Sequence, residues 1–191
     1  MSQRKPALCW FGMPSGRLCV LVDRDPRDST RPVVIILHGA LRHSENTQVW
    51  MPVLADDYDV LLVDLPGHGR SPPDKNASVA GFTARLRELI ARHLAERDIV
   101  VIGESVGGLV ALGLGDGRMP QVRGVLVSDP PLSTGKLWPV FNNFLRPSAG
   151  PHSDFVKAFY FNTFGYFLTE GGGGIAREHL YYPLIEAVKV R

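Results

Sequence analysis

The chain has 191 residues, 45% of them hydrophobic and 21% charged, the make-up of one globular domain large enough for a core of its own. Its formal net charge of +2 is too small to argue for nucleic acid or an anionic membrane surface, and no Lys/Arg cluster interleaved with aromatics reverses that. No apolar run approaches the ~18 residues of a membrane span, the apolar stretch after Pro6 is too short for a signal peptide, and the two cysteines fit a reducing compartment, so a cytoplasmic protein is the expectation.

Residues 7–11 and 17–23 read as antiparallel strands joined by a turn over 13–16, which carries Pro14 and Gly16. Cys9 and Cys19 flank that turn. They are expected as reduced thiols, the alternative being a disulfide across the hairpin. Residues 25–31 are polar and turn-forming. The run Val33-Val34-Ile35-Ile36-Leu37 is apolar throughout, hence a buried strand, and it ends at His38-Gly39-Ala40. Residues 47–54 read as a short helix broken by Pro52. Residues 58–63 form the next buried strand, which ends at Asp64-Leu65-Pro66-Gly67-His68-Gly69-Arg70-Ser71.

Apolar residues then recur at Val79, Phe82, Leu86, Leu89, Ile90 and Leu94, the spacing of an amphipathic helix with arginines on its other face. A strand over 99–102 runs into Gly103-Glu104-Ser105-Val106-Gly107, and a small-residue helix follows over 109–115. A last strand, 122–127, ends at Ser128-Asp129-Pro130-Pro131. Near-continuous apolar strands alternating with helices make a mostly parallel sheet covered on both faces. Ligands of such sheets bind at the strand C-terminal ends. His38, Asp64, Ser105 and Asp129 all stand at those ends.

Gly-x-Ser-x-Gly between a strand and a helix is the pattern of a nucleophile elbow, in which a serine occupies a strained turn and glycines two residues either side avoid collision. Such a turn lifts the hydroxyl above the sheet and aims the N–H of Val106 and the helix N-terminus at any developing negative charge. By chance the pattern occurs in roughly one chain in fifteen to twenty of this length. The plain alternative is a glycine-rich turn whose serine caps the helix.

Three segments in order narrow the choice: His38-Gly39-Ala40 after the third strand, Asp64-x-Pro-Gly-His-Gly-x-Ser71 after the fourth, and Gly103-x-Ser-x-Gly107 after the fifth. Together they resemble the α/β-hydrolase fold superfamily over residues 7–131. The resemblance implies an α/β core (1–131) with strands one to six, and an aromatic-rich helical cap segment over 132–191. Twelve of the seventeen aromatic residues fall in that segment. They would line an apolar substrate pocket or pack the cap to itself. Gly171 to Gly174 read as a linker, not a phosphate loop.

By the same resemblance Ser105 is the nucleophile, and the N–H groups of Ala40 and Val106 form the oxyanion hole. His38, Gly39, Asp64, Gly67, Gly69, Gly103 and Gly107 shape the motifs. In the family the base is a histidine after the eighth strand and the acid usually follows the seventh. This chain matches neither, so the last strands and the base are expected to be missing from it. Some members take the acid from the end of the sixth strand, where Asp129 stands; otherwise Asp129 is a turn residue before Pro130. Of the six histidines, His38, His43, His68, His93, His152 and His179, none matches the family base. Glu104 fills a variable position.

The expected reaction is hydrolysis of an ester or similar acyl substrate through an acyl-enzyme, with no metal and no cofactor motif. Thioesterase, carbon–carbon hydrolase, acyltransferase and cofactor-free peroxidase relatives share the serine. A non-catalytic protein of the same fold is the alternative from another class. With the sheet stopping at 122–127, that strand is an open edge that invites self-association.

Overall fold

Short continuous runs of Val, Ile and Leu suit strands buried on both faces, and the sheet is built around two of them. A computed structural model describes residues 6–39, 42–73 and 78–130. Strands β3 (Val33–Leu37) and β4 (Asp59–Val63) are buried at every position and lie side by side in parallel. Around them the order is β1-β2-β4-β3-β5-β6. Here β1 is Ala7–Met13, β2 Gly16–Val22, β5 Ile99–Glu104 and β6 Val122–Ser128. The β1–β2 and β2–β4 pairs are antiparallel; β3–β5 and β5–β6 are parallel.

Side chains alternate across the strands, so each strand feeds two cores. One face carries Leu18, Val20, Ile35, Leu37, Leu61 and Val63 beneath α2 (Val79–His93) and α3 (Val106–Leu114). The other carries Leu21, Val34, Ile36, Val60 and Leu62 beneath Met51 of α1 (Met51–Leu54). The expected apolar stripe of α2 is buried at Val79, Phe82, Leu86, Leu89 and Ile90. Each such side chain contributes about 1.5–3 kcal/mol when fully buried. The helix starts at Ser78, whose hydroxyl accepts the Gly81 N–H at 3.0 Å, the bond of an N-cap.

Two readings change and a third, the free thiols, is upheld. Residues 47–54 are not one helix broken by proline. Ser44–Trp50 form a 3-10 turn that runs into α1. Pro52 falls in the first turn of α1, where its missing N–H forfeits no helical bond. Second, α3 begins at Val106 rather than 109, so strand and helix meet at a single residue. Third, the β1–β2 register sets Cys9 opposite Val20 and Cys19 opposite Trp10. Directly paired residues share a face and successive ones alternate, so the two thiols leave the hairpin on opposite faces. That rules out the disulfide, and both cysteines are free. Residues 131–191, and with them the cap segment expected over 132–191, lie outside the described residues.

Candidate active site

Ser105 ends β5 and starts α3, and its backbone carries the cost of the reversal. It has φ 53° and ψ −117°; of the described non-glycine residues only Ser105 and Asp129 (φ 47°) have positive φ. Such a conformation costs about 1–3 kcal/mol and persists only where neighbours over-determine it. Here the Ser105 N–H donates to the Ser128 carbonyl at 2.8 Å, and its carbonyl accepts the Gly108 N–H at 2.9 Å. A Cβ on Gly103 would stand 2.3 Å from the Gly107 carbonyl oxygen, and one on Gly107 would stand 2.4 Å from the Leu37 carbonyl oxygen. Both obstacles are backbone, so neither can move aside. The Ser105 hydroxyl makes no capping bond to the helix, which removes the capping-serine alternative. Ser105 is half-buried and Val106 buried. The N–H of Val106 precedes the first helical bond of α3, one of the orphan donors of a helix start.

Gly39, just after β3, lies against this turn. A Cβ on Gly39 would touch the Ser105 Cβ at 3.3 Å. His38 anchors the loop from below. Its Nε2 accepts the Leu65 N–H at 3.0 Å and its Nδ1 contacts the Gly39 carbonyl at 2.7 Å. Since an N–H can only donate, the proton sits on Nδ1 and both ring nitrogens are engaged. Burial, with a smaller contribution from the nearby His68 ring, pushes the His38 pKa down to about 3. His38 is thus a neutral fastener.

Asp64, fully buried, accepts the N–H groups of Ser44 at 2.6 Å and Arg70 at 2.9 Å. It ties the loop after β4 to the 3-10 turn. Gly67 (φ 74°) and Gly69 (φ 52°) shape that loop, and a Cβ on Gly69 would strike the Asp64 carboxylate at 2.4 Å. His68 is buried, its Nδ1 3.1 Å from the Pro66 carbonyl. His93 contacts the Gly12 carbonyl at 2.9 Å and packs edge-on against Phe11. His43, half-buried, starts the 3-10 turn. Asp129 is exposed beside the elbow and accepts the Ser128 hydroxyl at 3.0 Å. Ala40, His152 and His179 lie outside the described residues.

One pair at the rim has no counterpart in the sequence reading. Arg42 Nη1 donates to both carboxylate oxygens of Glu104, at 2.6 and 2.8 Å. These residues are 62 apart in sequence, and no local pattern links them. Among the described residues no three His, Cys, Asp or Glu side chains cluster as metal ligands, and no helix is long and apolar enough to cross a membrane.

Residues 34–186 match the alpha/beta hydrolase family. The chain belongs to that family. Among curated relatives of this alpha/beta hydrolase, the magnesium-chelatase 30 kDa subunit of Rhodobacter capsulatus is 34% identical over 108 residues, 55% of this chain and 37% of the relative. The pimeloyl-[acyl-carrier protein] methyl ester esterase of Xanthomonas oryzae pv. oryzae is 34% identical over 110 residues, 56% of this chain and 41% of the relative. The chain thus matches less than half the length of these relatives. Among solved structures, the N-acyl homoserine lactonase AidH superposes with a TM-score of 0.63 at 18% identity, covering 88% of this chain and 72% of that one, a likeness of fold.

Proposed function

We propose that this alpha/beta hydrolase is a serine hydrolase of esters or similar acyl substrates, with Ser105 as nucleophile. The observation that carries the reading is the strained Ser105, hydroxyl unused by the helix, held between two glycines that no side chain could replace. In the reaction Ser105 Oγ attacks the acyl carbonyl, and the oxyanion forms against the Val106 N–H and, by the family pattern, that of Ala40. Such donors stabilise the transition state by about 3–4 kcal/mol each. The intermediate expels the alcohol, leaving an acyl-serine that water hydrolyses. The methyl ester esterase relative supports an ester as substrate class. Asp129, exposed and strained next to the elbow in the β5–β6 register, is proposed as the triad acid.

Serine needs a base. His38 is excluded by its two engaged nitrogens and its low pKa. Among the described residues no histidine hydrogen-bonds the Ser105 hydroxyl. In this reading the base comes from outside the described residues. The same observation favours a second reading, a protein of this fold that binds but does not turn over.

A fluorophosphonate probe separates the two. Labelling of Ser105 within minutes, lost in Ser105→Ala together with any hydrolysis of short acyl esters, is the expected result. Absence of labelling in a folded chain supports the second reading, and ester hydrolysis at an undiminished rate in Ser105→Ala overturns the assignment of the nucleophile.

A further inference from the structure

Strand β6 ends the sheet on one side. Among the described residues it pairs with β5 alone. The Ser105 N–H donates to the Ser128 carbonyl at 2.8 Å, so Ser128 turns its backbone toward β5. Backbone direction alternates along a strand. Leu126 and Gly124 therefore face β5 as well, while the N–H and C=O groups of Val125 and Val127 point out of the sheet. An edge of this kind is a template for another strand.

The features that blunt an edge stand only at its two ends. A register irregularity falls at the start of β6, opposite Ile99 and Val100, and Pro130 follows its end. Between them, Gly124 to Val127 carry no charge. Leu126 is 57% exposed. It lies beside Ile102 in the β5–β6 register, on the face that also carries Val100, so the apolar surface runs out to the edge. On the other face Val125 and Val127 pack against the larger core. The charges lie at opposite ends, Arg123 at the start and the exposed Asp129 just past Ser128.

That placement is self-complementary. A second β6 laid antiparallel along the first, with Leu126 on the two-fold axis, sets Val125 opposite the partner's Val127. The two residues can then exchange both of their outward backbone hydrogen bonds. The two Leu126 side chains meet on one face, and on the other Arg123 comes alongside the partner's Asp129. Sliding the partner by two residues keeps the same faces together but sets Arg123 against Val127, or Asp129 against Val125. Arg123 already donates to Asp98 at 2.7 Å. That exposed pair contributes little, and a guanidinium has further N–H donors for a second carboxylate.

We propose that β6 is a docking edge for a second copy of this chain, joined antiparallel across a two-fold axis at Leu126, with Arg123 and Asp129 fixing the register. The contact is isologous, the same strand serving both sides. It does not depend on the chemistry of Ser105, although it brings the partner's Arg123 to the carboxylate beside the elbow.

The test uses the 191-residue chain as wild type, Leu126→Lys, Arg123→Asp and Asp129→Lys, each checked for folding by circular dichroism. Sedimentation velocity reads the mass, and amide hydrogen exchange is resolved at Val125 and Val127. One strand pair buries little area, so the expected wild-type Kd is on the order of 100 μM. Well above that concentration, exchange at Val125 and Val127 slows by about tenfold. Leu126→Lys replaces an apolar contact on the axis with two facing cations and weakens association about tenfold or more. Arg123→Asp and Asp129→Lys each set like charges opposite one another and weaken it about fivefold. An equimolar mixture of those two variants makes every such pair opposite in sign again, and its Kd returns to within about twofold of wild type.

A wild-type chain that stays monomeric up to about 1 mM overturns the proposal. Slow exchange at Val125 and Val127 that does not depend on concentration also overturns it, because another part of the same chain then occupies the edge. Association that survives Leu126→Lys, with protection growing over residues 7–12 instead, moves the contact to β1 and overturns it too. A mixture that associates no more tightly than either variant alone overturns the register.

Discussion

At the scale of single residues, the site combines one strained serine with polar groups that are satisfied elsewhere. His38 illustrates how burial assigns a role. Its ring is fully buried and its pKa is pushed down to about 3 from 6.5, so the folded state holds it neutral while the unfolded chain protonates it near its ordinary value. A depressed histidine pKa gives stability that is complete above about pH 6.5 and lost as pH falls toward 3, because the unfolded state binds the extra proton. From pH 6.5 to 5 the loss attributable to His38 is about 2 kcal/mol. Urea unfolding at the two pH values should show it, and the His38→Gln variant should show about that much less acid sensitivity. Equal acid sensitivity in the two proteins would mean that the ring is not held neutral.

At the scale of elements, register decides what the strands present. In the β1–β2 hairpin, Met13 pairs with Gly16 across the two-residue turn Pro14-Ser15, and that pairing carries through to Ala7 opposite Val22. It sends Cys9 toward the α2 side, where it packs with the larger core, and Cys19 the other way. The Cys19 thiol is buried and its pKa is raised to about 11, chiefly by desolvation, so it stays protonated and unreactive near neutral pH. Oxidising and reducing conditions should therefore give the same melting temperature. A rise of several degrees on oxidation would require the two thiols to meet and would contradict the register.

At the scale of the whole molecule, the two ends of the sheet do different work. The site lies at the C-terminal ends of β3, β4 and β5. At their N-terminal ends Arg97, which follows α2, donates to the carbonyls of Pro26 and Ser29 at 2.7 Å and to the fully buried Asp59 carboxylate at 2.5 Å. It also bonds the Arg31 carbonyl. Arg24 approaches Asp59 at 3.4 Å, so the carboxylate is enclosed by two cations. Removing Arg97 leaves that charge under-compensated, and breaking a buried pair of this kind costs about 3–5 kcal/mol. The urea midpoint of Arg97→Met should fall accordingly, and adding Asp59→Asn should recover a large part of the loss. If Arg97→Met costs under about 1 kcal/mol, the cluster is not holding this end of the sheet.

Much of this was legible in the order of residues alone. Val33 to Leu37 has no polar position and is short and rich in β-branched residues, so it reads as a strand covered on both faces. Gly103 and Gly107 flank a serine after such a strand, and a tight strand-to-helix turn is the one local geometry that needs both. His38 and Asp64 were legible as motif residues, though not their partners: Leu65, Ser44 and Arg70 reach them through loops whose paths depend on the packed sheet. The pairs Arg42–Glu104 and Arg97–Asp59 left no trace, because charged residues 62 and 38 positions apart meet only once β3, β4 and β5 lie in register. Local sequence determined which segments become strands and where the backbone must turn sharply, because sterics and apolar burial act on neighbours along the chain. Tertiary structure alone decided which face each cysteine takes and which cation answers which carboxylate, because those contacts exist only between segments that folding brings together.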